Sequence, residues 1–572
     1  MWVRVTILGR CLTDGQLALY RIPRTKITYS NIKYDWGGWI MVGLESECGN
    51  GKRKSGGCQA RCAADGATAR VTAWTHTGIV VCASLALVIG APARAGTDDA
   101  AGNAKAARAP VKPVTGRKKP AQAAAPATPP AQPGAAAPAT VSRAWSAGPG
   151  TAPAPSAGGA VSPEVAKMIK FAAFDKLSMK GWITTVPPAA ESIFQDPNGL
   201  RTALAEYGIG YVAYSTNTFT ANMLNNAPPK PQTYQGQIPT TYSFSEVTVS
   251  YDLGRLGLTG GQLSVGTMLT GTTWEPLGPS GAKFANLYYF QSLMEDTVQL
   301  QAGVFYNAQN YLGLLVAASM ATGPQALVPY ELGLSRQGVP APGANFMINL
   351  PNNFYNKAGV QRSISPDGAD VEQQANPIGL GLSSPDAKAL FIDEFGYKTF
   401  SSPAQGSVWV RAGGLYNTSP YFDFSAGRKT DTNWGFYAAA DVQVSQISSA
   451  PYEAYQGYYV GGFYMTSDPN KNMYQNYYEG RVYGMGIIPG RPMDQTALIF
   501  GYTTLSKSAL DFQAALTGIR PFGDYASVTV SNSFRLNPGV YLMLGTSYNV
   551  HPSATPRLKN SLNFMASLTT AF

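Results

Sequence analysis

The chain has 572 residues, with 43 Lys and Arg against 33 Asp and Glu and only two His, enough for several domains or for one large β structure with appendages. The basic excess is local: residues 161–572 carry 24 basic and 26 acidic side chains, so the surplus lies in the first 160 residues and marks no nucleic-acid face on the body. All five cysteines (Cys11, Cys48, Cys58, Cys62 and Cys82) precede residue 96, which excludes a disulfide framework or thiolate metal site from the body.

Residues 1–95 read as a long leader ending in an export signal. Its apolar core is residues 78–90 (GIVVCASLALVIG), preceded by Lys52, Arg53, Lys54, Arg61 and Arg70 and followed by Ala93-Arg94-Ala95. Thirteen residues fall short of the roughly 20 that span a bilayer but suit a signal-peptide core, with cleavage expected between Ala95 and Gly96. The seventy or so residues before it have two explanations, a start site placed too far upstream or a long functional leader. Cys58 and Cys62 lack the second Cys or His pair a zinc site requires.

Residues 96–160 are rich in Ala, Pro, Gly and Lys, as in Ala121 to Pro133 (AQAAAPATPPAQP). Such a composition buries too little apolar surface to offset the cost of ordering, so a disordered linker is expected. The run Arg117-Lys118-Lys119-Pro120 leaves two readings, contact with an anionic wall or lipid surface and a plain solvated tether. Residues 161–207 are then expected to hold short helices. Ser162-Pro163-Glu164 is an N-cap, first-turn proline and first-turn acid, with Val165, Met168, Ile169 and Ala172 sharing one face. A second helix is expected over 199–207.

From residue 208 onward the pattern has period two. In residues 433–446, Trp434, Phe436, Ala438, Ala440, Val442 and Val444 share one face, while Asn433, Tyr437, Asp441, Gln443 and Ser445 share the other. Residues 297–307 set Val298, Leu300, Ala302, Val304 and Tyr306 against Gln299, Gln301 and Asn307. Residues 525–536 set Val528, Val530, Phe534 and Leu536 against Ser527, Thr529, Ser531, Ser533 and Arg535. A soluble β-sandwich also alternates. Against it stand strands of about 10–14 residues, which match a tilted bilayer crossing. Aromatic pairs such as Tyr458-Tyr459 and Tyr477-Tyr478 suit interfacial girdles, and the Gln/Asn/Ser/Thr face suits a wet lumen. The expected fold is all-β, a transmembrane antiparallel β-barrel over residues 208–572. The strand 561–572 (SLNFMASLTTAF) ends on Phe572, similar to the terminal signal by which barrel proteins are recognised for outer-membrane insertion.

These residues resemble the carbohydrate-selective (OprB-type) porin family. The likeness runs through Glu191-Ser192-Ile193-Phe194, Gly199-Leu200-Arg201-Thr202, residues 390–397 (LFIDEFGY) and 413–417 (GGLYN). It continues through Gly435-Phe436-Tyr437, Asp441-Val442-Gln443, the specific stretch 480–494 (GRVYGMGIIPGRPMD), Gly501-Tyr502-Thr503, Leu536-Asn537-Pro538-Gly539 and Val550-His551-Pro552. It covers residues 190–572. Asp196-Pro197-Asn198-Gly199 departs from the family's acid-Trp-Gly-Gly, and residues 325–374 fit loosely. The resemblance implies about 16 strands and passive diffusion of mono- and oligosaccharides across the bacterial outer membrane. Sugars as permeants, outer-membrane lipid and the barrel-assembly machinery are the expected partners, with no nucleic acid and no metal or organic cofactor.

Strand parity selects the channel candidates: Glu394, Arg411, Asp441, Glu479, Arg481 and Arg535, with the aromatics Trp409, Tyr437 and Tyr477, and also Tyr459 and Tyr483, on the same side. Facing arginines and carboxylates can form a hydrogen-bonding constriction or staple the wall together as ion pairs. The aromatics can stack on sugar faces or serve as packing. Arg491 and Asp494 read as a structural tie in a turn. No catalytic residue is expected, because His551, the body's one histidine, has no acid beside it in sequence. A general porin, or a channel for other small polar solutes, is the alternative to sugar selectivity.

Overall fold

The computed structural model describes residues 163–182, 187–227, 231–274, 280–312, 327–403, 405–450 and 452–572. The leader, the apolar stretch 78–90, Ala95, Gly96 and the linker 96–160 lie outside the described residues.

Sixteen strands close into one antiparallel barrel in which each strand pairs with its neighbours in sequence and β1 closes on β16. The first half comprises β1 (Ile209–Asn222), β2 (Thr240–Asp252), β3 (Gly261–Thr272), β4 (Gly281–Leu293), β5 (Val298–Phe305), β6 (Ala341–Asn349), β7 (Phe354–Arg362) and β8 (Ala389–Lys398). The second comprises β9 (Val408–Asp423), β10 (Arg428–Gln446), β11 (Gly457–Ser467), β12 (Tyr474–Met485), β13 (Gln495–Leu505), β14 (Asp524–Asn537), β15 (Val540–Val550) and β16 (Ser561–Ala571). Five α-helices accompany them among the described residues: α1 (Pro163–Asp175), α2 (Leu200–Glu206), α3 (Leu327–Glu331), α4 (Ala369–Ala375) and α5 (Lys507–Thr517).

The burial pattern is inside-out relative to a water-soluble sheet. On β14, Ser527, Thr529, Ser531 and Ser533 are at most 5% exposed, whereas Val528, Val530 and Leu536 are 39%, 52% and 56% exposed. Polar groups face inward and apolar groups face out, which the bilayer requires. Outward tyrosines form a girdle along neighbouring strands, with rings 5.2 Å apart for Tyr464–Tyr478 and 6.2 Å for Tyr478–Tyr502. The strands run from 8 residues in β5 to 19 in β10, a wider spread than the alternation predicts.

The closing seam runs from Tyr214↔Ala571 to Asn222↔Asn563. Phe572 continues it: its N–H donates to the Ala213 carbonyl at 2.8 Å, its ring lies 5.8 Å from Phe194, and its carbonyl accepts from Arg201 Nη2 at 2.8 Å. The segment 199–207 is helical, as α2.

Two sequence-based faces differ from the structure. In α1, Ile169 is exposed and Phe171 is buried. The helix packs through Phe171, Met168 and Phe174 on Ala189 and Ala190, because two aromatic rings bury more apolar area than Ile169 and Ala172 would. In β5 the alternation does not extend to Tyr306. The strand ends at Phe305, and Tyr306 turns inward, its hydroxyl donating to the buried Glu246 carboxylate.

The outward position of Val530 yields a direct test. Val530→Arg places a charge on the lipid face and is expected to lose about 2–4 kcal/mol, less if it reaches an interface. Urea unfolding in phospholipid vesicles measures it, and an unchanged midpoint contradicts the assignment of faces.

Candidate channel site

Two segments enter the barrel and set what the inner wall can present. The first, between β5 and β6, crosses to the opposite wall. Asn417 Nδ2 donates to the Leu332 carbonyl at 2.7 Å, Gln361 Nε2 to the Gly333 carbonyl at 3.1 Å, and the Tyr474 N–H to Glu331 Oε2 at 3.1 Å. Val328, Leu332 and Leu334 join a buried apolar cluster with wall residues from β8 to β14. Gly435 makes this approach possible, since a Cβ there would collide with Leu332 Cδ1. The second segment follows α1. Tyr288 Oη donates to the Lys180 carbonyl at 2.7 Å, Gln262 Nε2 donates to the Ser178 carbonyl at 3.0 Å, and Trp182 packs 5.3 Å from Tyr306. Residues 189–191 return beside α1, where the Ala189 N–H donates to Asp175 Oδ1 at 2.8 Å.

The structure brings four of the parity-selected charges together. Asp441 on β10 receives Arg481 Nε on β12 at 3.0 Å and Nη2 at 2.6 Å, and Arg411 Nη1 on β9 at 3.5 Å. Arg481 Nη1 also meets Glu479 Oε1 at 2.9 Å, and Tyr477 Oη donates to Glu479 Oε2 at 2.5 Å. Arg411 Nη2 donates to the Leu312 carbonyl at 3.1 Å, and its guanidinium lies 3.9 Å above the Trp409 ring. Beside this quartet, Glu394 on β8 accepts from Tyr355 at 2.8 Å and Tyr437 at 2.6 Å, while Trp409 Nε1 donates to Tyr355 Oη at 2.9 Å. All these charged groups are buried. These two arginines and two carboxylates pair with one another and sum to zero charge.

Arg535 stands apart from them. It binds Glu191 of the N-terminal segment through Nε at 2.8 Å and Nη2 at 2.7 Å, tying that segment to the β14 end. Arg491 Nη2 meets Asp494 Oδ1 at 3.2 Å and the Arg535 carbonyl at 3.1 Å. Tyr459 and Tyr483 stack on each other at 4.8 Å. His551 Nδ1 lies 3.0 Å from Asp524 Oδ1, an acid distant in sequence.

Sequence reasoning gave Glu191 no partner or channel role, and passed over Glu246, Tyr355, Glu331 and the whole crossing segment. Glu246 was within reach of the parity test, since it shares the inward face of β2 with Phe244 and Thr248. Glu331 gave no such signal, because nothing periodic surrounds it.

Asp441 neutralises two buried guanidinium groups at once. Asp441→Ala is therefore expected to lose about 3–5 kcal/mol, the cost of leaving buried charge unpaired; wild-type stability in the urea assay contradicts the pairing. At Glu331, burial inside the barrel pushes the carboxyl up to about 8 from 4.5, partly countered by the donated N–H groups of Tyr474 and Met473. A carboxyl raised on folding contributes its full stability below about pH 4.5 and loses it as pH climbs through about 8. Protection over residues 327–334, taken relative to the intrinsic exchange rate at each pH, should therefore fall between pH 6 and pH 8, and Glu331→Gln should remove that fall; equal pH responses in the two chains contradict it.

Residues 232–572 match the family described as carbohydrate-selective porin, OprB family. No curated protein matches the chain. Among solved structures, the high-pH structure of Pseudomonas putida OprB is similar at TM-score 0.58 and 14% identity, covering 69% of this chain and 99% of that one. The low-pH structure of the same protein gives TM-score 0.42 at 12% identity, covering 68% and 100%. Vibrio cholerae OmpT in its trimer form gives TM-score 0.39 at 10% identity, covering 64% and 99%. The fold is shared with the first of these, and the family match covers more than half of the sequence. With its polar face turned inward and its apolar face turned out, the chain belongs to the carbohydrate-selective porin, OprB family, and is a sugar-selective porin of the outer membrane.

Proposed function

We propose that mono- and oligosaccharides pass through this barrel by passive diffusion, with no chemical step. The observation that carries the reading is the neutral charge quartet. Arg411, Asp441, Glu479 and Arg481 cancel in net charge and hold one another in place. With these charges paired and covered, the wall draws ions of neither sign through them, which favours polar, uncharged solutes whose bonds to water must be replaced in transit. Trp409, Tyr437 and Tyr477 then act by holding the charged groups: each ring packs under or bonds to one of them. Glu394 is held in the same way, and Arg535 positions the N-terminal segment through Glu191.

The outlying parts complete the proposal. The apolar stretch 78–90 directs export, with cleavage between Ala95 and Gly96, and the linker 96–160 tethers the barrel toward the periplasmic wall through its basic run. The barrel, 208–572, sits in outer-membrane lipid after its assembly machinery has read the strand ending in Phe572.

Swelling of proteoliposomes tests the selectivity. Glucose and maltose should enter faster than amino acids or salts of matched size. Equal rates for all four would replace sugar selectivity with a general porin.

A further inference from the structure

Residues 175–182 precede the range matched by the family, 232–572, yet they lie against the inner faces of β1 to β5 as a strap. The strap enters at the barrel end where β1 begins. There the Leu177 carbonyl accepts from Ser250 Oγ on β2, and it comes so near Gly210 on β1 that a Cβ at that position would collide with it. Gln262 on β3 grips the main chain twice. Its Oε1 accepts from the Lys180 N–H at 2.9 Å, and its Nε2 donates to the Ser178 carbonyl at 3.0 Å. Tyr288 on β4 donates to the Lys180 carbonyl at 2.7 Å, and Met179 is buried in one cluster with Tyr288, Phe290 and Phe305 of β5. The base of the excursion is fixed as well, by the Ala189 N–H on Asp175 at 2.8 Å and by Glu191 on Arg535.

Sixteen strands by themselves leave an aqueous channel. In this barrel the strap covers wall on β1 to β5, and the crossing segment covers wall on β7 to β14. The two elements meet at their tips, where Trp182 packs 5.3 Å from Tyr306, the residue that opens the crossing segment. Trp182 keeps part of its surface exposed inside the barrel. We propose that strap and crossing segment together form the size filter of this channel, and that Trp182 sets its limit. Single sugar rings then pass freely, while longer oligosaccharides are slowed. The choice of sugars rests on the function proposed above; the narrowing itself does not. Main-chain groups make most of the strap's polar contacts with the wall, so its course does not depend on the Trp182 side chain. The indole is therefore bulk held over the opening by an anchored backbone.

The test uses the full chain in planar bilayers and in liposomes. Trp182→Ala removes the ring and leaves the main chain of the strap in place. Gly210→Ala puts a Cβ against the Leu177 carbonyl and lifts the strap from the wall with its own side chains intact. Conductance in the presence of neutral polyethylene glycols of graded length reads the size limit, and liposome swelling reads the entry of glucose and maltotriose. Resistance of the barrel to dodecyl sulfate reports folding. Both variants should raise conductance about twofold, admit longer glycols, and lower the ratio of glucose to maltotriose entry about fivefold. An unchanged glycol limit in folded Trp182→Ala would overturn the proposal, and so would a strap variant that loses only stability, the mark of a mere brace. A raised glycol limit together with equal entry of sugars and matched amino acids would uphold the filter and remove the sugar reading instead.

Discussion

Backbone hydrogen bonding in a medium without water is the constraint on which the rest of this structure depends. Inside hydrocarbon, an N–H or carbonyl left unpaired costs several kcal/mol, so a sheet can cross only if it has no edge. The seam between β1 and β16 removes the last edge. Arg201, the Phe572 main chain and the Ala571 carbonyl, which accepts from the Ile193 N–H, anchor the N-terminal segment beside that seam. Closure also separates two solvents. Every side chain on a strand must suit lipid or lumen, which explains why serine and threonine are buried on β14 while valine is exposed.

Ionised groups turned into the barrel meet a second constraint. Taking an arginine or a carboxylate out of water is costly unless a partner and further hydrogen bonds compensate. The quartet at Arg411, Asp441, Glu479 and Arg481 meets that cost collectively, with Tyr477 and the Leu312 carbonyl bonding to its ends. Glu394 meets it through two tyrosine hydroxyls. The four charges of the quartet therefore sum to zero. The same packing that fixes these charges lets the crossing segment rest on the wall beside them, through Leu332 against Gly435.

How much of this could be read from the sequence follows from the same physics. On β10 and β14 each residue sees one of two solvents, so the alternation of Trp434, Phe436 and Val444 against Tyr437, Asp441 and Gln443 is written directly into residue type. The strand count came from the family resemblance. Parity also placed Arg411, Asp441, Glu479 and Arg481 on one side. It could not reveal that they are buried, because that depends on what covers them, and the segment holding Val328, Leu332 and Leu334, which packs on the wall, has no periodicity. Tyr306 illustrates the difficulty: its type extends the rhythm of β5, yet the strand has ended and the residue faces Glu246. Arg535 was placed correctly by parity and misread in company, because its partner Glu191 lies 344 positions away.

The measurement that bears most directly on this account is a scan of single nitroxide labels along residues 526–536, reconstituted in lipid, with oxygen dissolved in the bilayer as the collision partner. Collision rates should rise at 528, 530 and 534 and fall at 527, 529, 531 and 533, a two-residue oscillation across the strand. A flat profile, or one in which the serine positions meet oxygen as often as the valine positions, would mean that the apolar face does not look into lipid, and the channel built on it would fall.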